Sequence, residues 1–78
     1  MIENKTLLTK TNSVDLNKIN KAEITIFKHL GIIDRASITL KSKGVITPYR
    51  DDIDINDIEI LEDYFINNNI NYFIIDRN

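Results

Sequence analysis

The absence of cysteine from a chain of only 78 residues is the feature that most restricts how it can fold. Without cysteine there are no disulfides, no thiolate metal sites and no cysteine nucleophile. A chain of this length buries only roughly 60% of the surface that it exposes when unfolded. Hydrophobic residues make up 42% of the sequence, which is enough for one small core and too much for a disordered tail. The sequence therefore predicts a single globular domain that comprises residues 1–78.

The amino-terminal residues contain no basic stretch followed by an apolar run, so they predict no secretion signal. No apolar segment approaches the roughly 20 residues that are needed to cross a bilayer. We therefore predict a soluble protein of the cytoplasm, or of the host cell cytoplasm if the gene is viral. The frequent isoleucine, asparagine and lysine residues have A/T-rich codons, which favours a low-GC genome, whether of a bacterium, an archaeon, a virus or a mobile element.

Charge is distributed unevenly along the chain, although the net charge is only −2. Residues 1–50 contain nine bases and four acids, a net charge of +5. Residues 51–78 contain one base and eight acids, a net charge of −7. Separation of this kind bears on partners and self-association more than on the fold.

The first part of the chain predicts a strand followed by a helix. Residues 5–11 are rich in threonine and leucine, which favours a strand. Apolar residues then recur at a helical spacing, at Leu16, Ile19, Ala22, Ile26 and Leu30. Gly31 follows the last of them, where a helix C-terminus favours glycine, so we predict a helix over about 14–30. Residues 23–27 also alternate and include β-branched side chains, so a strand is the alternative for that stretch.

A β-hairpin is predicted for the middle of the chain. Residues 37–42 and 45–49 have strand-like patterns, and the two-residue link Lys43-Gly44 can form a tight turn. Pro48 cannot donate a hydrogen bond to a neighbouring strand. We therefore expect the second strand of the hairpin to lie at an edge or to be irregular at that position.

The last third predicts a helix at 57–67 and a strand at 72–75. Asn56 and Glu59 have the spacing of a capping box, which marks the start of a helix. Three consecutive asparagines at 67–69 suit its end, because asparagine tolerates the left-handed conformation. The strand is a short apolar run, which predicts burial on both faces.

The predicted order of strand, helix, hairpin, helix and strand indicates an α+β fold: a small two-layer sandwich with a mostly antiparallel sheet and two helices on one face. A β-α-β-β-α-β arrangement of the ferredoxin-like type fits this order and length. As an alternative, residues 22–46 resemble a helix-turn-helix that continues into a winged hairpin. In that interpretation Gly31 is the turn glycine and residues 35–43 form the recognition helix.

The sequence offers no set of residues suited to catalysis, a cofactor or a metal ion. The one histidine, His29, lacks a neighbouring serine-rich or glycine-rich elbow. Gly31 and Gly44 are isolated, whereas phosphate-binding loops need clustered glycines. The acids from Asp52 onward have the initial spacing of a calcium loop, but Asp57 stands where that loop requires glycine. We therefore predict a protein that is not an enzyme, with no cofactor and no metal site.

The preferred functional hypothesis is a small protein-binding module whose acidic helix and loop contact a basic partner, such as the surface of a nucleic-acid-binding protein. A regulator or inhibitor encoded by a virus or mobile element would have this form. The predicted helix 57–67 has acids but no base four positions on, which costs some stability unless a basic partner covers it. The predicted contact residues are Asp51, Asp52, Asp54, Asp57, Glu59, Glu62 and Asp63.

Two other functions fit the charge pattern. The first alternative is a nucleic-acid-binding module that uses Arg35, Lys41, Lys43 and Arg50, either on the hairpin or within a helix-turn-helix, and whose affinity falls steeply with salt. The second is a homo-oligomeric structural protein, in which the basic half of one copy meets the acidic half of another. All three hypotheses require that the two charge blocks do not neutralise each other within one molecule.

Overall fold

The structure of the chain is a computed structural model, which describes residues 2–3, 5–9 and 12–77. Strands predominate in these residues. A short 3-10 helix at Ile55–Asp57 leads into helix α1 at Ile58–Asn67. The strands are β1 (Ile2–Glu3), β2 (Thr6–Leu8), β3 (Ser13–Asp15), β4 (Ile19–His29), β5 (Ile32–Ser42), β6 (Tyr49–Ile53) and β7 (Asn71–Arg77).

The strands form two sheets. Strands β1, β2 and β3 make a small antiparallel sheet, and the larger sheet has the order β6-β5-β4-β7. Strand β5 is antiparallel to both of its neighbours, whereas β7 is parallel to β4. Helix α1 connects β6 to β7, the two edge strands of the larger sheet. The chain therefore crosses from one edge of this sheet to the other between β6 and β7.

One face of the larger sheet forms the core. Successive side chains of a strand point to opposite faces, so alternate residues of β4 and β5 are buried together. The buried apolar residues of the core are Leu7, Leu16, Ile19, Ala22, Ile24, Ile26, Ala36, Ile38, Leu40, Ile53, Leu61 and Phe65. They come from both sheets and from α1, so the two sheets and the helix share a single core.

The small sheet and α1 cover the same face of the larger sheet. Leu7 of the small sheet and Phe65 of the helix belong to one buried cluster. At the edge of that cluster the hydroxyl of Thr9 donates to Oδ2 of Asp51 at 2.6 Å, and the hydroxyl of Tyr49 donates to the same oxygen at 2.9 Å. No described element lies on the opposite face, which is open to solvent.

The helix predicted over about 14–30 is wrong. Strand β3 ends at Asp15, and β4 spans Ile19–His29. The alternative interpretation of residues 23–27 is confirmed, because alternation and β-branched side chains outweigh the helical spacing there. Leu30 and Gly31 do not end a helix. They have φ angles of 52° and 78°, and they form the turn of the β4–β5 hairpin, where positive φ at two successive residues matches the strand twist.

Both predicted fold classes are therefore wrong. The α+β sandwich required two helices on one face, but residues 14–30 supply strands, and the described chain contains one α-helix beside two sheets. A ferredoxin-like arrangement is excluded for the same reason. The helix-turn-helix is also wrong, because its proposed recognition helix at 35–43 falls almost entirely within strand β5.

The middle of the chain forms a hairpin, but its second strand is Tyr49–Ile53 and not the predicted 45–49, which overlaps it at one residue. Strands β5 and β6 are joined by residues 43–48 rather than by a two-residue turn, and Leu40 pairs with Tyr49. Strand β6 begins directly after Pro48 and lies at an edge of the sheet, in agreement with the expectation for a strand beside proline.

The helix predicted at 57–67 is confirmed by α1, but the capping box is not formed. The side chain of Asp54 accepts a hydrogen bond from the Asn56 backbone at the start of the 3-10 helix. The helix stops at the asparagines, and Asn69 has a φ angle of 55°. Strand β2 lies within the strand predicted at 5–11, of which residues 10 and 11 fall outside the described residues.

The strand predicted at 72–75 is confirmed as part of β7, but its predicted burial on both faces is wrong. Strand β7 lies at an edge of the larger sheet. The side chains of Phe73 and Ile74 are 43% and 38% exposed. A compact apolar run is typical of a strand in the interior of a sheet that is covered on both faces. The sequence alone does not show that β7 lies at an edge or that one face of its sheet is open.

Candidate functional site

The uncovered side of the larger sheet, which we call the open face, is the candidate site. Strand pairing arranges its side chains in four rows that cross the sheet. The rows are Asn71-Lys21-Lys41, Phe73-Glu23-Thr39-Arg50, Ile75-Thr25-Ser37-Asp52 and Arg77-Phe27-Arg35. The covered face consists of the alternate residues on the same strands, which form the core.

The open face is positively charged, in contrast to the whole chain. It contains five basic and two acidic side chains, for a net charge of +3. All other residues of the sequence contain five bases and ten acids, for a net charge of −5. Strand pairing therefore converts the charge separation along the chain into a difference between the open face and the rest of the molecule.

Two aromatic rings lie on the open face, each with a cation above it. The guanidinium carbon of Arg35 lies 4.3 Å from the centroid of the Phe27 ring. The ammonium nitrogen of Lys21 lies 5.7 Å from the centroid of the Phe73 ring. Cations at such distances are attracted by the negative face of the ring. The rings are two rows apart, a separation of roughly 13 Å along the strands.

A depression of about 330 Å³ lies on the open face, next to the Phe27 ring. Its lining includes the hydroxyl groups of Thr25, Ser37 and Thr39 and the side chains of Arg50 and Arg77. These hydroxyls can both donate and accept hydrogen bonds. The depression therefore combines neutral hydrogen-bonding groups with two basic side chains and the acidic side chain of Glu23.

Few of the charges on the open face are neutralised locally. Lys41 and Glu23 form an ion pair with an Nζ–Oε1 distance of 3.9 Å. Among residues 2–3, 5–9 and 12–77, the guanidinium groups of Arg50 and Arg77 form no ion pair. Both arginines are exposed, so an anionic ligand can reach them without breaking a salt bridge between described residues.

Three of the acidic residues predicted to bind a partner, Asp51, Asp52 and Asp54, lie in or next to β6 but in different surroundings. Asp51 accepts the hydroxyl hydrogen bond of Thr9 beside the core. Asp52 lies on the open face, one residue further along β6. Asp54 accepts a hydrogen bond from the Asn56 backbone at 2.9 Å, which stabilises the 3-10 helix. The structure does not bring these three carboxylates into one patch.

The remaining four predicted acids belong to the start and body of α1. Asp57 is the N-cap residue, and Glu59 and Asp63 are exposed. Glu62 accepts a hydrogen bond from the Tyr72 hydroxyl at 3.1 Å. Burial raises the pKa of Tyr72, and the hydrogen bond and negative charge of Glu62 raise it further. Only Glu59 and Asp63 of these four acids are therefore exposed on the helix, fewer than the sequence predicted.

The basic residues predicted for the nucleic-acid alternative are largely brought together. Arg35, Lys41 and Arg50 all lie on the open face, although 15 positions separate the first from the last in the sequence. Lys43 lies in the loop between β5 and β6 and is exposed. The grouping arises from strand pairing rather than from the predicted recognition helix.

Sequence reasoning missed Lys21, Phe27, Phe73 and Arg77 as parts of one surface. The first two were assigned to a helix, Phe73 was placed in a strand expected to be buried on both faces, and Arg77 lies beyond the end of that predicted strand. The alternation of residues 23–27 was the one signal that placed Phe27 on a polar face. Nothing in the sequence indicated that β7 pairs with β4.

Within residues 2–3, 5–9 and 12–77, no group of three or more histidine, aspartate and glutamate side chains is placed to hold a metal ion. His29 lies exposed at the end of β4. The one α-helix of the described chain is too short to cross a membrane. No protein-family model matches this chain, and no curated protein or solved structure matches it either.

Proposed function

We propose that the open face binds single-stranded nucleic acid. The observation that supports the proposal is the combination of a net charge of +3 with two exposed or half-exposed aromatic rings on one uncovered sheet surface. Proteins that bind single strands combine a positively charged surface, which follows the phosphates, with aromatic side chains on which bases stack. The proposal develops the basic-residue alternative, with a sheet surface in place of a helix-turn-helix.

The arrangement of the open face suggests how each part contributes. Arg50 and Arg77 contact phosphates, because their guanidinium groups have no acidic partner among the described residues. Bases stack against Phe27 and Phe73, or against the guanidinium group of Arg35, which lies 4.3 Å from the centroid of the Phe27 ring. The hydroxyls of the depression form hydrogen bonds with base edges.

A single strand fits the open face better than a duplex does. The major groove of B-DNA is about 12 Å wide and admits a helix or a two-stranded ribbon. Four strands spaced by about 4.8 Å extend over roughly 14 Å between the outer strand axes, so the sheet cannot enter that groove. The one α-helix, which could enter, carries no basic residue. An unpaired strand can instead lie across the sheet with its bases against the rings.

Replacing Phe27 with alanine, and separately Phe73, should each weaken the binding of a single strand by about 5-fold to 150-fold. This range corresponds to the loss of one stacked base, about 1–3 kcal/mol. The measurement is fluorescence anisotropy with a labelled oligothymidylate of about 12 nucleotides. Because no charge is removed, the dependence of affinity on salt should be the same as for the unmodified protein.

The matched control is Ile60→Ala, which shortens an exposed apolar side chain on α1, on the covered side of the sheet. This variant should bind the oligonucleotide as tightly as the unmodified protein. A duplex of the same length should bind more weakly than the single strand. Equal affinities for the Phe27→Ala variant and the unmodified protein would contradict the proposed role of stacking.

Binding of a basic protein to the acidic surface of α1 remains a second candidate function, on a different surface from the open face. Glu59 and Asp63 are exposed on α1, next to Ile60, whose side chain is 47% exposed. Within the described chain neither carboxylate forms an ion pair. A basic protein that binds there would contact the side opposite the open face, so the two functions are distinguished by which surface responds to the ligand.

A further inference from the structure

The two edges of the larger sheet differ in how they are protected. Strand β6 has five residues, follows Pro48 and contains Arg50, Asp51 and Asp52. Short length, proline and charge are the features by which natural sheets prevent their edges from pairing with other chains. Strand β7 has seven residues, and its central Tyr-Phe-Ile-Ile segment at 72–75 contains no charge and no proline. The β7 edge therefore lacks the usual protection.

Exposed apolar side chains lie on both faces of β7. Phe73 is 43% exposed on the open face, and Ile74 is 38% exposed on the face that carries the helix. No described strand pairs with the outer side of β7. An edge of this kind presents unpaired N–H and C=O groups together with apolar side chains, which is the template that another strand requires.

We propose that a second copy of this chain pairs with β7 in an antiparallel manner, so that two larger sheets form one continuous eight-stranded sheet. In the register centred on Ile74, this residue lies opposite the partner's Ile74. Phe73 then lies opposite the partner's Ile75, and Asn71 opposite the partner's Arg77. Opposite residues occupy the same face of a sheet, so the two open faces lie on the same side of the dimer.

The composition of β7 favours a second copy as the occupant of this edge. The strand is self-complementary in that register, because its central pairs are apolar and no two like charges face each other. The Arg77 side chains of the two copies are separated by roughly six residues, or about 20 Å. Two-fold pairing of β7 also gives a closed dimer. In contrast, binding of the open face of one copy to the acidic helix of the next would leave both surfaces free at the ends and would produce an open-ended chain of copies.

The test is the mass of the protein in solution, measured by multi-angle light scattering without nucleic acid. We expect a mass of about twice 9.1 kDa, and little change at high salt because the contact is apolar. The substitution Ile74→Lys places two like charges across the two-fold axis and should raise the dissociation constant at least about 10-fold. Ile60→Lys, at a comparably exposed site on α1, should leave the dimer intact.

Any one of four results would overturn the proposal. First, the unmodified protein could have a mass near 9.1 kDa, that of one chain, at every concentration tested. This result can be interpreted without any variant. The Ile74→Lys variant could remain dimeric while its circular dichroism shows a folded chain. Thirdly, hydrogen exchange of the unmodified protein could show no slowing of β7 amides with increasing protein concentration. Fourthly, an assembly that dissociates as salt rises would indicate contact between basic and acidic surfaces rather than pairing of β7.

Discussion

Replacing both Arg50 and Arg77 with glutamate should lower the affinity for a single-stranded oligonucleotide by about 100-fold or more at low salt. The two arginines line the depression, and their reversal changes the net charge of the open face from +3 to −1. Each lost phosphate contact should also lower the slope of log affinity against log salt by about 0.7. Fluorescence anisotropy between about 50 and 200 mM salt measures both quantities.

The matched control for this experiment is the double variant Lys5→Glu and Lys18→Glu. It changes the net charge of the chain by the same amount, but both lysines are exposed in segments outside the open face. The control should retain most of its affinity and the original salt slope. Equal losses in the two double variants would show that net charge, rather than this surface, determines binding, and would contradict the proposed site.

Replacing Phe65 with alanine should destabilise the fold by about 3–5 kcal/mol. The Phe65 side chain is fully buried, and its ring centroid lies 6.2 Å from that of Tyr64 and 5.5 Å from that of Tyr72. Alanine would leave a cavity where α1 meets the sheet. A chain of this length has a free energy of unfolding of only about 4–12 kcal/mol, so the substitution removes a large part of it.

The measurement is thermal unfolding followed by circular dichroism, and the Tm of Phe65→Ala should fall by at least about 12 °C. Phe27→Ala is the matched control, because it removes the same ring from a half-buried side chain on the open face, away from the β7 edge. Its Tm should fall much less. If the two variants melt within a few degrees of each other, the packing of α1 against the sheet described above is incorrect.

Local patterns in the sequence were sufficient for the helix and the last strand of the second half of the chain, but not for the position of β6. The acids at the start of α1 and the asparagines at its end predicted the helix over 57–67, and the structure confirms it. The pairing of β5 with β6 was also predicted in outline. In these segments the residues that predict an element lie within it or next to it, so the prediction needs no information about distant parts of the chain.

The β4 segment could not be assigned securely from the sequence, because its apolar residues satisfy two periodicities. Ala22 and Ile26 are four residues apart, a separation that lies on one side of a helix and also on one side of a strand. Burial of Ile24 between them agrees with a strand and not with a helix. The strand is stabilised by pairing with β5 and β7, which follow it in the chain, so residues 19–29 alone do not determine it.

The candidate site depended on the same long-range pairing. Phe27 and Phe73 are 46 positions apart, and they share a surface only because β7 lies parallel to β4. The separation of basic and acidic halves was visible in the sequence. Its conversion into a basic open face on one side and an acidic helix on the other followed from the crossover of α1 between the edge strands.

The most direct test of the proposed function is an NMR titration of the isotope-labelled protein with a single-stranded oligonucleotide at low salt. We expect the largest changes in backbone amide shifts at open-face residues in the central strands, such as Thr25 and Ser37, and only small changes along α1. Changes concentrated at Glu59 and Asp63, or no changes when the oligonucleotide is in excess, would contradict the proposal that the open face binds nucleic acid.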